Sequence, residues 1–337
     1  MKALAEFTAW VAGRTHEDRA GRLPPGLRIS LHSRSDAHSV KLSELIVQDL
    51  LDSCAVLREQ AARGEIAYGI NYGFGWPNGK RKTLDLAIGI PLIQRDPPAG
   101  ARIHRLRSKG RQGVETPPEE QFARLLIACE AKAVLTEHSK SQPRVFDELN
   151  GSHAIVHGGS RDSIAAGITL INIAQSFVSP LRQRPDRPVE ISEHHQPDDA
   201  ANMVAHLRGL PIRRSINEVG FDAYCSFVMD VDNQGHVALW TDAPAPQTGD
   251  RDHYDTFLRD ICLAYSERFN DLGHLPEPGG MSFEEALVAL ARQYPGLLER
   301  AGELVVVHDL PGAKELRAIL RAIETQANPP RRSSEEG

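Results

Sequence analysis

The sequence predicts an α/β protein, a mixed sheet bearing helices on both faces and extended by a C-terminal α+β region. Three observations lead there. Between Ser43 and Arg63 the apolar residues Leu45, Ile46, Leu50, Leu51, Val56 and Leu57 recur at the spacing of an amphipathic helix. In TLDLAIGIPL, Leu84, Leu86, Ile88 and Ile90 fall on one face, and Thr83, Asp85, Ala87 and Gly89 on the other, which is the two-residue period of a strand. Farther on come a buried strand (Gln121 to Leu135, core LLIACEAKAVL), a helix (PRVFDELNGSHAIVH) and a second strand (IAAGITLINIA), the makings of a parallel crossover.

The remaining elements follow from local signals. AYGINYGFGWPNGKRK reads as a strand and a turn, because glycine and Asn-Gly punctuate it. A short helix from Pro117 is expected to lead into the strand at Gln121. Ser141 offers a helix N-cap, with Pro143 near the first turn. Residues 183–200, QRPDRPVEISEHHQPDDA, are proline-rich and charged, so they read as an exposed connection in which His194 and His195 are solvated. FDAYCSFVMDVDNQGHVALW reads as two strands around an Asn-Gln-Gly turn. Asp230, Asp232 and Asn233 belong to that turn rather than to a calcium loop, because the twelfth-position Glu is missing. Helical patterns at His253 to Phe269, Ser282 to Glu299 and Ala313 to Gln326 follow, with a strand ELVVVHDL before the last. The expected organisation is a core with N-terminal helices over 1–181, a connection over 182–200, an α+β region over 201–327 that contacts DNA or dimerises, and a disordered tail over 328–337.

Composition narrows the class. With 41% hydrophobic and 25% charged residues, the 337-residue chain matches a soluble globular protein. MKALAEFTAWVAGRTHED lacks the apolar core of a signal peptide, and a cytoplasmic, membrane-free protein is expected. Cys54, Cys129, Cys225 and Cys262 are far apart and form no CxxC, so reduced thiols are expected. A net charge of −6 would argue against nucleic acid, but its distribution is uneven. Between Trp76 and Arg111 nine basic residues stand against two acids, a local +7 that leaves −13 for the rest. Such polarity lets one face meet a polyanion. The glycines of YGFGWPNG make no phosphate loop, because neither GKS nor GKT ends the run.

The chemistry centres on Glu130, Ala131 and Lys132. With 45 acids in 337 residues, chance alone supplies about one acid-x-Lys triplet, so its setting must carry the argument. In a strand, side chains at i and i+2 share a face roughly 6–7 Å apart. A carboxylate and an ammonium inside an apolar strand need each other, a metal or a solvated cleft, because burying them unpaired costs several kcal/mol. Asp85 interrupts the preceding strand on the face it shares with the small Ala87 and Gly89, where there is room for a ligand. Two carboxylates meeting there, with waters and a substrate phosphate, are how Mg²⁺ is usually held. Lys132 beside that ion would orient the attacking water and stabilise the charge of a pentavalent phosphorane.

A strand Asp, a long intervening segment, Glu-x-Lys on the next strand, then a helix and a further strand: over residues 41–180 this resembles the PD-(D/E)xK nuclease superfamily, in particular its type II restriction endonucleases. Leu84 stands where the name-giving Pro would be. The resemblance implies a restriction-endonuclease-like fold and a restriction system. It makes Asp85 and Glu130 the metal ligands, Lys132 the residue at the attacking water, Mg²⁺ the cofactor, double-stranded DNA the substrate and a homodimer the working form. It also implies an extra acid on the first helix, Glu44 or Glu59. DNA contacts are expected from Lys80, Arg81, Lys82, Arg102, Arg105, Arg107, Lys109, Arg111, His138, Lys140 and Arg144, with the loop HRLRSKGRQG entering a groove or gripping the backbone. The competing expectations are a non-catalytic DNA-binding or defence-associated protein, and an exonuclease or resolvase on the same core.

Overall fold

Three helices precede the first strands: α1 (Lys2–Ala12), α2 (Ala37–Ser53) and α3 (Ala55–Ala62), then β1 (Ala67–Gly75), β2 (Arg81–Pro91) and β3 (His104–Leu106). A turn of 3₁₀ helix, Pro118–Glu120, leads into β4 (Phe122–Val134), followed by α4 (His138–Gly159) and β5 (Ile164–Asn172). The short β6 (Ser176–Phe177) and β7 (Ser192–Glu193), α5 (Asp198–Leu207), β8 (Ala223–Val231), β9 (Val237–Trp240) and α6 (Tyr254–Phe269) complete the series. This computed structural model describes residues 2–15, 23–24, 27, 29–32, 36–76, 79, 81–107 and 118–272. The helices and strand expected beyond residue 272 and the tail lie outside the described residues.

Seven strands form one mixed sheet in the order β3-β1-β2-β4-β5-β8-β9. β1 and β2 are antiparallel, as are β2 and β4, whereas β4, β5 and β8 run parallel to one another and β9 turns back on β8. The crossover expected from strand, helix and strand is therefore present, with α4 joining β4 to β5. β5 is buried at all nine positions, as a strand covered on both faces must be. α4 and α5 pack on each other and on β5, while α1, α2 and α6 form a second group that packs on β1, β2, β8 and β9. Leu149 and Val156 of α4, Met203 and Leu207 of α5, and Ala128, Ala165 and Val228 of the sheet share one core cluster.

Several expectations change at this level. The helix read over Ser43 to Arg63 is two helices, interrupted at Cys54, whose backbone is extended at φ −110° and ψ 105°. Cys54 is not a free thiol: it forms a disulfide with Cys262 of α6, with Cα atoms 5.4 Å apart. Their separation of 208 residues hid the pairing, since spacing alone cannot report which helices pack together. Cys129 and Cys225 are free and buried. α4 begins at His138, three residues before the expected cap at Ser141, and Glu137 holds the preceding position in a left-handed conformation at φ 53°. The 182–200 segment does not divide the sheet, because β8 beyond it pairs with β5 and residues 1–270 make one compact unit. Within that segment His194 is buried, not solvated. Its Nδ1 lies 2.8 Å from the Ala174 carbonyl, and its Nε2 lies 3.1 Å from Thr136 Oγ1.

Candidate active site

Glu130 stands on β4, the fourth of the seven strands, and is only 7% exposed. A surface ion pair on an edge strand is thereby excluded. Lys132, two residues on, brings its Nζ to 2.7 Å from Glu130 Oε1, as the shared face of i and i+2 requires. Lys82 of β2 reaches the other oxygen, with Nζ 3.2 Å from Glu130 Oε2, and the Ser152 hydroxyl of α4 donates to the same oxygen at 3.4 Å. The buried carboxylate is thus compensated on both oxygens, which is why a charge is tolerated inside an apolar strand.

Asp85 joins this group through the register of β2 and β4. The last paired couple at that end is Leu86 with Cys129, so the next step brings Asp85 opposite Glu130. An Asp85 oxygen accepts the Ala131 N–H at 2.8 Å, between Glu130 and Lys132 in the chain. Burial first, and the facing Glu130 carboxylate second, push the Asp85 carboxyl up to about 6, against the pull of the Ala131 N–H, Lys132 and Lys82. The Ser43 hydroxyl on α2 donates to the Asp85 carbonyl at 3.3 Å, tying this end of β2 to the helix. The small neighbours play a different part from the one expected. Ala87 belongs to the core cluster, and a Cβ at Gly89 would collide with the Arg124 carbonyl, so both serve close packing rather than ligand room.

Room for a ligand lies instead in a cavity of about 560 Å³ lined by Asp85, Lys132 and Glu148 together with Arg144 and Arg182. Phe7, Leu31, Leu42, Leu170 and Phe177 contribute apolar lining. Glu148, on α4, was not read from the sequence. It pairs with Lys132 (Nζ to Oε2, 3.2 Å) and accepts a bond from Arg144 at 2.9 Å. Burial pulls the Lys132 ammonium down, but the two carboxylates outweigh it and hold the group above its ordinary value. Burial raises Glu148, but the bonds and charges of Lys132 and Arg144 together outweigh it and bring the carboxyl below the usual range. A signal for Glu148 existed: Ser141, Arg144, Glu148 and Ser152 recur at three- and four-residue steps, a polar stripe along one face of the helix.

The extra acid does not come from the first helices. Glu44 lies 2.8 Å from Arg105, and Glu59 is exposed on α3. Among the expected DNA contacts, Arg81, Arg102, Arg105, Arg107, Lys140 and Arg144 are exposed. Arg102 pairs with Asp52 at 2.6 Å, the Arg107 N–H donates to the Glu120 carboxylate, and Lys140 pairs with Glu137 at 3.0 Å. Lys82 belongs to the carboxylate cluster. His138 is a packing residue instead, 2% exposed with Nε2 2.8 Å from the Asn172 carbonyl, because it opens α4 against the end of β5. Lys80, Lys109 and Arg111 lie outside the described residues.

Asp85 and Glu130 are the residues that would hold a divalent cation. Among the described residues no set of three or more His, Cys, Asp and Glu side chains is placed to bind a metal. Two carboxylates with water and a substrate phosphate suit Mg²⁺, whereas Zn²⁺ or a fully caged Ca²⁺ needs more protein donors. A cation between the two would favour the ionised form of the Asp85 carboxyl, which burial first and the facing Glu130 second hold raised. No protein-family model, curated protein or solved structure matches the chain.

Proposed function

We propose that this protein is a Mg²⁺-dependent endonuclease that hydrolyses phosphodiester bonds of double-stranded DNA, a type II restriction enzyme acting in the cytoplasm as a homodimer. One observation carries the reading: the Asp85 carboxylate bonds the backbone N–H between Glu130 and Lys132, on a central strand that opens into a cavity. The order of elements supports it too, since the Asp strand, the Glu-x-Lys strand, a helix and a parallel strand succeed one another as in the nucleases that the sequence resembles.

In this reading Asp85 and Glu130 hold the cation, which when bound supplies Lewis-acid polarisation of the phosphate and a more acidic water. Lys132 releases Glu130 and turns its ammonium to the attacking water and the developing negative charge, with Glu148 keeping its amine within reach. Lys82 balances the charge of Glu130 while the cation is absent. Arg144 and Arg182, at the cavity wall, meet flanking phosphates. Cutting both strands with one centre per chain calls for two copies.

Supercoiled and linear DNA incubated with Mg²⁺ or with EDTA tests this. Discrete fragments with Mg²⁺ and none with EDTA are expected, and Lys132→Ala should cut at least about 100-fold more slowly while still shifting DNA on a gel. A gel shift with no cleavage by the native protein would place it among non-catalytic DNA binders, and degradation from ends among exonucleases.

A further inference from the structure

We propose that Lys82 changes partner when the cation site fills, leaving the Glu130 carboxylate for a phosphate of the bound DNA, and so couples cation binding to the grip on the substrate. The inference rests on the nuclease reading and deepens it. Two lysines share one carboxylate: Lys132 Nζ lies 2.7 Å from Glu130 Oε1, and Lys82 Nζ lies 3.2 Å from Oε2. Each ammonium already supplies the positive charge that a divalent ion brings to the same buried group. Like charges at such range repel strongly where water is scarce. A cation held by Asp85 and Glu130 therefore competes with both lysines.

The two lysines differ in what holds them afterwards. Lys132 has a second carboxylate, Glu148, 3.2 Å from its Nζ, and this keeps it at the site when Glu130 lets go. Among the described residues, Lys82 pairs with Glu130 and with no second carboxylate. Its backbone need not move for the exchange. β1 holds it, with Lys82 opposite Phe74, whereas the pairing of β2 with β4 begins at Leu86. The side chain can swing away from β4 on a fixed stem, and its chain neighbours Arg81 and Thr83 are exposed, so it moves along an open edge. A flexible four-carbon stem with a compact ammonium suits a phosphate contact. Lys82 thus serves the carboxylate cluster in the empty protein and the DNA contact expected of it in the loaded one.

Ca²⁺, a hard ion that takes oxygen ligands as Mg²⁺ does, is first titrated by calorimetry into the EDTA-stripped, dialysed protein without DNA. Lys82→Gln should bind it about tenfold or more tightly than the native chain, because the competing ammonium is gone, and Lys82→Arg should bind it as the native chain does. Damage to the fold weakens binding, so tightening separates the two effects. Binding of a fluorescent duplex is then followed against KCl concentration. With Ca²⁺ present, the logarithmic salt dependence of the native protein should be steeper than that of Lys82→Gln by about one, the worth of one phosphate contact, and in EDTA the two should coincide. If Lys82→Gln binds Ca²⁺ no tighter, or the slopes differ in EDTA or coincide in Ca²⁺, the exchange is overturned, and the nuclease reading stands so long as the native protein cuts DNA with Mg²⁺. If the native chain and Lys82→Gln both bind no cation, or Asp85→Asn binds it as well as the native chain, the cation site and the inference built on it fall together.

Discussion

At Asp85 burial and the facing Glu130 carboxylate push the carboxyl up to about 6, so the folded protein binds this proton more tightly than the unfolded chain does. The stabilisation that this proton gives is present at acid pH and is lost as pH rises from about 4, the ordinary carboxyl value, through about 6. Asp85→Asn keeps an oxygen for the Ala131 N–H and removes the charge. Urea unfolding in EDTA should therefore find the variant more stable than the native chain at pH 7 by on the order of 2 kcal/mol, with the gap closing toward pH 4. A gap that is constant with pH would rule out charge as its origin. The loss of Lys132 acts in the opposite sense: it strips Glu130 Oε1 of its cation and leaves Lys82 and the Ser152 hydroxyl on the other oxygen, so the Lys132→Ala variant should be less stable in EDTA as well as slow to cut.

Among the elements, the β8–β9 hairpin does more than reverse the chain. Asn233, in its turn at φ 64°, is fully buried and uses its whole amide. Its oxygen accepts the Ser30 and Leu31 N–H groups at 2.9 and 2.7 Å, and its nitrogen donates to the Leu31 and Val178 carbonyls at 2.8 Å each. The turn thus pins two distant segments beside the cavity that Leu31 and Phe177 line. Asn233→Ala should cost about 3 kcal/mol in denaturant titrations, because it orphans two buried N–H groups. Asn233→Gly relieves only the backbone conformation and should recover little of that loss. The hairpin itself was readable from Asn-Gln-Gly between alternating runs. The burial of Asn233 was not, because its partners lie 55 to 203 residues away in the chain.

Across the fold, two ties join segments far apart in the chain. The Cys54–Cys262 disulfide links the α2–α3 break to α6 and closes a very long loop. Breaking it with reductant, or by Cys54→Ser, should destabilise the protein by roughly 2–5 kcal/mol, seen as a lower melting temperature. At the opposite end of the parallel strands Asp222 accepts from Arg213 at 2.8 and 2.9 Å, from Arg268 at 2.6 Å and from the Ala165 N–H at 2.8 Å. Burial would raise its carboxyl, but the bonds from His157, Arg213 and Arg268 outweigh that and hold it well below the usual range. Its stabilisation is therefore present above the ordinary carboxyl value and is lost as pH falls below it. Asp222→Asn should cost about 3–5 kcal/mol at pH 7, with the difference shrinking in acid.

Local pattern was enough to read the α/β class, the strand with Asp85, the strand with Glu130 and Lys132, and the crossover through α4, because side-chain period and strand adjacency are written in neighbouring residues. The approach of Asp85 to the Glu-x-Lys strand was legible for the same reason, since adjacent antiparallel strands bring their ends together. Among the described residues no helix is long and apolar enough to cross a membrane. What remained hidden depends on packing between distant parts of the chain. Glu148 enters the site because α4 lies along β4, Lys82 turns inward to Glu130, His138 and His194 are buried against strand ends, and Cys54 meets Cys262. Each of these contacts is set by how whole elements settle on one another, a sum of burial over many residues that no single stretch of sequence records.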